Sequence, residues 1–218
     1  MTMNQTISVL GGTGKLGNAL ATRLARAGHT VIIGSRDAAA AADAAGSSGF
    51  DIRGMDNVAA AEAADLVIVA VPFAAQQGTL EAIRPYVAGK IVVDTTVPLV
   101  PPRVMRVQLP EADSAAVTAQ AILGEEVTVV SAFHNVAAHK MAESEPLECD
   151  VLVFGDKRDV RQQVVDLAES IGLRGIHGGA LANSAAGEAL TSVLLFINKL
   201  YAVDGAGIRI TGKLTEPG

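Results

Sequence analysis

The stretch that most constrains the fold of this chain runs from Thr6 to Arg36. It opens with a short apolar run, Ile7 to Leu10, that has the length and composition of a strand. A glycine-rich turn follows, then an amphipathic helix that should stop at Gly28, then a second strand from Thr30 to Ile33. A strand, a glycine turn, a helix and a strand in this order are typical of a dinucleotide-binding unit.

The turn reads G-x-G-x-x-G from Gly12 to Gly17, and each glycine has a separate physical reason. Gly12 should permit the tight turn, Gly14 should let a pyrophosphate approach the backbone, and Gly17 should let the helix lie close to the sheet. The N–H groups at the start of the helix would then face the phosphates. The cofactor-binding residues predicted from this turn are Gly12, Thr13, Gly14, Leu16 and Gly17.

The end of the second strand indicates which dinucleotide is bound. An NAD site usually has an acidic residue there for the ribose hydroxyl, whereas an NADP site has an arginine nearby for the 2′-phosphate. This chain has Ser35 and Arg36, and Arg36 could bind a phosphate with two parallel hydrogen bonds. Asp37 follows at once, but an alanine-rich helix follows it, so we interpret Asp37 as an N-cap. The pattern favours NADP over NAD.

Strands and helices alternate along the rest of the chain. Buried strands are predicted at Leu66 to Val71, Ile91 to Asp94 and Val127 to Ala132, with helical patterns between them. The predicted fold class is therefore α/β, a Rossmann-type doubly wound parallel sheet with a small C-terminal helical cap. We expect residues 1–180 to form the NADP-binding domain, and residues 181–218 a small helical element for substrate binding or dimerisation.

Ligands of such sheets bind beyond the carboxyl ends of the strands. The loop Val71-Pro72-Phe73 is one candidate cofactor contact there, although Pro72 could simply terminate the strand. His134, which follows another predicted strand, is the candidate catalytic residue. A histidine near a nicotinamide could donate a hydrogen bond or a proton, or it could be structural, and the sequence leaves both open. Arg103 and Arg106 lie in a proline-bearing loop that could form a basic lip over an acidic ligand.

Composition excludes several classes of function. The formal net charge of −6 argues against nucleic acid or an anionic membrane as a partner. The apolar runs are too short to span a bilayer, and no secretory leader is visible, so we expect a cytoplasmic protein. Cys149 is the only cysteine, and neither a metal-ligand set nor a paired-carboxylate arrangement is evident. The apolar helix at Ala185 to Tyr201 favours a homodimer.

The segment VLGGTGKLGNALATRLARAGHTVIIGSR closely resembles the start of the F420-dependent NADP reductases. The resemblance continues through Val71-Pro72-Phe73, Val93 to Pro98, Ser131 to His134, Asn183-Ser184 and Leu190-Thr191. It implies a Rossmann-type enzyme that transfers a hydride between NADP(H) and the deazaflavin coenzyme F420. It also implies that Thr13, Ser35 and Arg36 contact NADP, that His134 is the active-site histidine, and that Thr191 contacts the deazaflavin.

Two positions depart from the family pattern, because Ala185 and Ala189 stand where the resemblance implies Arg and Ser. These departures leave alternatives for the second substrate. One is coenzyme F420, and another is a flavin or a small carbonyl or imine compound reduced by NADPH on the same scaffold. A nucleotide-sensing protein without catalysis is the alternative outside the enzyme class. In either enzyme the partners are small-molecule redox substrates.

Overall fold

We describe the chain from a computed structural model, which covers residues 5–143 and 147–215. Most of the elements lie close to their predicted positions. The strands are β1 (Thr6–Leu10), β2 (Thr30–Ser35), β3 (Ile52–Asp56), β4 (Leu66–Val69), β5 (Ile91–Asp94), β6 (Thr128–Ser131), β7 (Asp150–Phe154) and β8 (Arg174–Gly179). The helices are α1 (Lys15–Arg26), α2 (Ala38–Gly46), α3 (Asn57–Glu62), α4 (Phe73–Ile83), α5 (Ala115–Leu123), α6 (Ala138–Ala142), α7 (Arg158–Ser170) and α8 (Ser184–Tyr201), and short 3-10 turns occupy Arg84–Tyr86 and Leu181–Asn183.

The strands form one eight-stranded sheet in the order β3-β2-β1-β4-β5-β6-β7-β8. The order reverses at β1, as in doubly wound nucleotide-binding folds. All neighbouring pairs are parallel except β6 and β7, which run antiparallel with Ser131 opposite Phe154. The prediction of a parallel doubly wound sheet is therefore confirmed for β1 to β6. The parallel direction does not extend to β7, because the connection after Ser131 brings β7 back in the opposite direction.

Successive residues of the strands point into two apolar clusters, one on each face of the sheet. In β1, Ile7 and Val9 enter one cluster, and Leu10 enters the other. Val67 and Ile68 of β4 divide in the same way. Because helices cover both faces, the strands are almost continuously hydrophobic rather than alternating between apolar and polar residues.

Helix α6 was not predicted from the sequence, and it explains an unexpected burial on α1. The helical pattern of α1 predicts that Arg23 lies off the apolar face, but its side chain is only 6% exposed. Its guanidinium donates to the carbonyls of Met141 (2.6 Å) and Glu143 (2.5 Å) around the end of α6, and to that of Ile171 (3.1 Å) after α7. Arg23 therefore connects three segments that are distant in sequence.

Helix α8 follows β8 closely, and the chain after it returns to the sheet. The N–H of Asp150 donates to the carbonyl of Ile208 (2.8 Å), and the N–H of Ile210 donates to the Asp150 carboxylate (2.6 Å). The same carboxylate accepts two hydrogen bonds from Arg174, at 2.6 and 2.7 Å. The domain boundary at residue 180 stays a prediction. No helix in the described ranges is long and apolar enough to cross a membrane.

Candidate active site

The glycine turn after β1 has the geometry of a phosphate-binding turn, with one change from the predicted roles. The left-handed conformation belongs to Gly11, with φ of +74°, rather than to Gly12. Gly12 is required because a Cβ there would lie 2.8 Å from the Val9 carbonyl oxygen. A Cβ on Gly17 would lie 2.5 Å from the Gly11 carbonyl oxygen, so the close approach at Gly17 is between the helix and the turn, whereas the prediction was of helix and sheet.

Thr13, Gly14 and Lys15 are the exposed residues of this turn. No side chain caps α1, which begins directly after Gly14. By contrast, Asp37 caps α2 through the N–H groups of Ala39 and Ala40, as predicted, and Asp56 caps α3. The free N–H groups and the positive end of the dipole of α1 therefore remain available to an anion.

Two adjoining cavities extend from this turn along the edge at which the parallel strands end, and together we call them the cofactor cleft. The smaller has a volume of about 190 Å³, and the larger about 430 Å³. The smaller cavity is lined by Gly11, Thr13, Gly14, Ser35, Arg36, Asn57, Ala70, Val71, Pro72, Ala75 and Thr79. Ser35, Arg36, Asn57, Ala75 and Thr79 line both cavities.

Arg36 lies where a 2′-phosphate would be recognised in a fold of this type. Its side chain is exposed, and no acidic side chain pairs with it in the described parts of the chain. Ser35 is 8% exposed, and its hydroxyl accepts a hydrogen bond from the N–H of Asp37 (3.3 Å). Asp37 is engaged as the cap of α2, so Arg36 is the charged group after β2 that lines the cleft.

The structure brings several of the predicted cofactor residues into the cleft but not all of them. Thr13, Gly14, Ser35, Arg36, Val71 and Pro72 line it. Gly12, Leu16, Gly17 and Phe73 do not line either cavity. Gly12 and Gly17 are buried within the turn, and Leu16 packs against an apolar cluster. Gly12, Gly17 and Leu16 therefore support the cleft indirectly, by shaping the turn and the start of α1.

Sequence reasoning missed Asn57, Ala75 and Thr79, which line both cavities of the cleft. Asn57 follows β3 directly, and its Oδ1 is buried with no hydrogen-bond partner among the described residues. The sequence pattern indicates a third strand only from Phe50 to Arg53, whereas β3 extends to Asp56, so the sequence gives no signal that Asn57 follows a strand end. Thr79 lies on α4, two turns beyond Pro72, a position that only the packing of that helix reveals.

His134 lies beyond the end of β6 and is only 5% exposed. Its Nε2 lies 2.6 Å from the hydroxyl oxygen of Ser131, and its Nδ1 is buried with no partner in the described ranges. Burial lowers the pKa of His134 to about 4, so the imidazole is neutral at neutral pH. The residue before it, Phe133, is fully buried with φ of +66°, a strained conformation for a bulky side chain.

Thr191 of α8 lies beside His134, because its hydroxyl donates to the His134 carbonyl oxygen (2.9 Å). Both residues line a cavity of about 200 Å³, which we call the second cavity. The rest of its lining comes from the segment after His134, from α8 and from Ala206 beyond α8, and the cavity shares no described residue with the cofactor cleft. Thus the predicted NADP contacts Thr13, Ser35 and Arg36 line the cofactor cleft, whereas His134 and Thr191 lie together in the second cavity.

Two buried carboxyl groups lie between the strand ends and α8, an arrangement that the sequence did not predict. Burial raises the pKa of Asp94 to about 6 and that of Glu188 to about 7, with the charge of Asp94 adding to the effect on Glu188. Both side chains are 1% exposed. The side-chain amide of Gln76 donates to Asp94 (2.5 Å) and to the carbonyl oxygen of Ala115 (3.1 Å). No cluster able to hold a metal ion occurs in the described ranges.

A doubly wound sheet, an uncapped helix behind a glycine turn and an unpaired arginine after the second strand define a dinucleotide-binding protein of the Rossmann type. Comparison with known proteins narrows this class. A family model described as "NADP oxidoreductase coenzyme F420-dependent" matches residues 6–98.

Curated relatives match nearly the whole chain. The F420-dependent NADP reductase of Methanothermobacter thermautotrophicus is 40% identical over 222 residues, covering 96% of this chain and 96% of that protein. The F420-dependent NADP reductase of Methanocaldococcus jannaschii is 38% identical over 220 residues, covering 94% of this chain and 97% of that protein. A crystal structure from Arthrobacter sp. FB24, provisionally named an F420-dependent NADP reductase, has a TM-score of 0.81 at 25% identity and covers 96% of this chain and 100% of that one. The chain therefore belongs to the family of F420-dependent NADP reductases.

Proposed function

We propose that this chain is an oxidoreductase that transfers a hydride between NADP(H) and coenzyme F420. The observation that carries the proposal is the cofactor cleft, in which Ser35 and the unpaired Arg36 line the same space as Thr13 and Gly14. The glycine turn would hold the pyrophosphate, and Arg36 would hold the 2′-phosphate that distinguishes NADP from NAD. The relatives over almost the full length are F420-dependent NADP reductases, which supports the choice of the second substrate.

The roles proposed for the residues follow from their positions. Val71 and Pro72 form the wall of the cleft beyond the glycine turn, and His134 and Thr191 line the second cavity. Both coenzymes are hydride carriers, so the protein has chiefly to hold two rings in contact and exclude water. His134, whose pKa is about 4, would act as a neutral hydrogen-bonding group and not as an acid at neutral pH. This disfavours a carbonyl or imine reductase that depends on His134 as the proton donor.

The test is to mix purified protein with NADPH and oxidised coenzyme F420 and to follow the absorbance of both. We expect both absorbances to fall together, and to fall far more slowly when NADH replaces NADPH. Parallel reactions with a free flavin and with a small cyclic imine test the alternative acceptors. Turnover with one of those and none with coenzyme F420 would overturn the proposal. NADPH binding without turnover of any acceptor would favour a nucleotide sensor.

We also propose that the active form is a homodimer that buries the outer face of α8. Large apolar side chains on this face are exposed, with Val193 at 44%, Phe196 at 51% and Leu200 at 59%. A surface helix rarely presents so many apolar side chains to water. Light scattering should give a dimer whose dissociation is promoted by Phe196→Glu, and a wild-type monomer at every concentration would refute the proposal. A cytoplasmic location is part of the proposal and agrees with the single, free Cys149.

A further inference from the structure

Glu188 is a buried carboxylate whose two oxygens are both occupied by backbone donors of another helix. Its Oε2 accepts from the N–H of Ala115 (2.7 Å), and its Oε1 accepts from the N–H of Ala116 (3.1 Å). These are the first two residues of α5, more than 70 positions away in sequence. Ser114 already caps α5 locally through the N–H of Val117 (3.0 Å). Glu188 is therefore not needed to start α5, and what it adds is a connection between α5 and α8.

The residues next to Glu188 on α8 are those that touch His134. A Cβ on Gly187 would lie 3.6 Å from His134 Nδ1 and 2.6 Å from Phe154 Cε2, so α8 lies directly against both rings. Thr191, one turn further along, donates to the His134 carbonyl oxygen. The distance and rotation at which α8 crosses His134 therefore depend on where Glu188 attaches it.

The first turn of α5 is also held by a residue of α4, the helix that follows the Val71-Pro72 wall of the cofactor cleft. Gln76 lies one turn after the start of α4, which follows Val71 and Pro72, and it donates to the carbonyl oxygen of Ala115. The peptide groups of Ala115 are thus fixed by Gln76 on one side and by Glu188 on the other. Ser184, one turn before Glu188 on α8, adds a hydrogen bond to Ser114 (2.8 Å).

We propose that Glu188 is a positioning residue for the second substrate: by anchoring α8 to the first turn of α5, it sets the shape of the second cavity between Thr191 and His134. The proposal rests on the proposed function in assigning that cavity to the hydride acceptor. Glu188 does not touch the acceptor, because it is buried and does not line the cavity. Its effect is on the binding of the acceptor and not on the binding of NADP(H).

The kinetic test uses Glu188→Gln, in which the amide keeps one acceptor but opposes the second N–H with its own NH₂ group. We expect the KM for coenzyme F420 to rise about tenfold, as for the loss of one buried hydrogen bond, while the dissociation constant of NADPH stays within about twofold. Glu169→Gln, at an exposed position on α7, controls for the loss of a charge. Leu167→Val, at a buried position on α7, controls for a general loss of stability.

A second measurement does not depend on the identity of the acceptor. In Glu188→Gln the ring signals of His134 in ¹H–¹³C NMR spectra should shift, and the amide hydrogens of Ala115 and Ala116 should exchange faster. Neither change should occur in Leu167→Val. If wild type does not turn over coenzyme F420, the proposed function fails while these signals still test the anchoring role. Unchanged His134 signals in a folded Glu188→Gln variant, or parallel losses of affinity for both coenzymes, would overturn the proposal.

Discussion

Arg36 offers the sharpest test of how this chain selects its nucleotide. The substitution Arg36→Ala removes an exposed guanidinium that lines both cavities of the cofactor cleft and has no acidic partner in the described parts of the chain. Because no ion pair within the protein is lost, the fold should be almost unaffected. What is lost is the hydrogen-bonded contact to the 2′-phosphate.

A hydrogen bond to a charged group contributes about 1.5–3 kcal/mol. Arg36 is exposed, so solvent and salt screen the contact and place it at the lower end, about 1.5–2 kcal/mol. This corresponds to a rise of roughly 10- to 30-fold in the dissociation constant of NADPH. NADH lacks the 2′-phosphate, so its dissociation constant should change less than about twofold.

The assay is calorimetric titration of wild type and Arg36→Ala with NADPH and with NADH at low and high salt. The advantage of wild type for NADPH should shrink as the salt concentration rises. Arg84→Ala is the matched control, since Arg84 is also exposed but follows the far end of α4. Equal losses for the two nucleotides, or no loss for NADPH, would refute the assignment of Arg36 to the 2′-phosphate.

Further predictions concern the turn, the buried histidine and the departures from the family pattern. Gly17→Ala should lower the free energy of unfolding by about 1–3 kcal/mol and weaken NADPH binding, because its Cβ would meet the Gly11 carbonyl oxygen. Gly46→Ala is the control, since a Cβ there has nothing within 4 Å, and it should change neither property. Equal losses of stability for the two variants in urea denaturation would contradict the packing argument. Folding lowers the pKa of His134 from 6.5 to about 4, so between these values the unfolded chain binds more protons and the stability of the fold rises with pH. Between pH 4 and 6.5, His134→Gln should therefore gain less stability than wild type. An equal gain in the two proteins would show that His134 is not a buried, neutral group. Ala185→Arg with Ala189→Ser should lower the KM for coenzyme F420 without changing NADPH affinity, and an unchanged KM would mean that these alanines do not limit binding of the coenzyme.

The comparison of sequence and structure is most favourable where the signal is local. The strand–turn–helix–strand unit, the stop at Gly28 and the cap at Asp37 were predicted close to where the structure places them. These features depend on spacing within about ten residues and on the conformational needs of single residues, which a sequence displays directly. The same is true of the buried strands, whose length and composition identify them.

Several details of the site depended on contacts that no local pattern encodes. Asn57 and Thr79 enter the cleft because α3 packs beside β2 and β1 and α4 packs against α3, not because of their own neighbours in sequence. In the same way, His134 is a buried neutral group because α8 packs against it at Gly187. The sequence identifies the residue as a histidine, but it does not show which side chains pack around it.

By itself, therefore, the sequence determined that this chain folds as a Rossmann-type α/β protein with a cleft for NADP, since glycine spacing, strand composition and the charge after β2 are local properties. Only the tertiary structure decided that β7 runs antiparallel to β6, that Arg23 is buried against three distant carbonyls, and that Glu188 anchors α8 to α5. Each of these joins segments far apart along the chain. The stability of a buried charge depends on which partners the fold assembles around it, and residue type and spacing do not specify those partners.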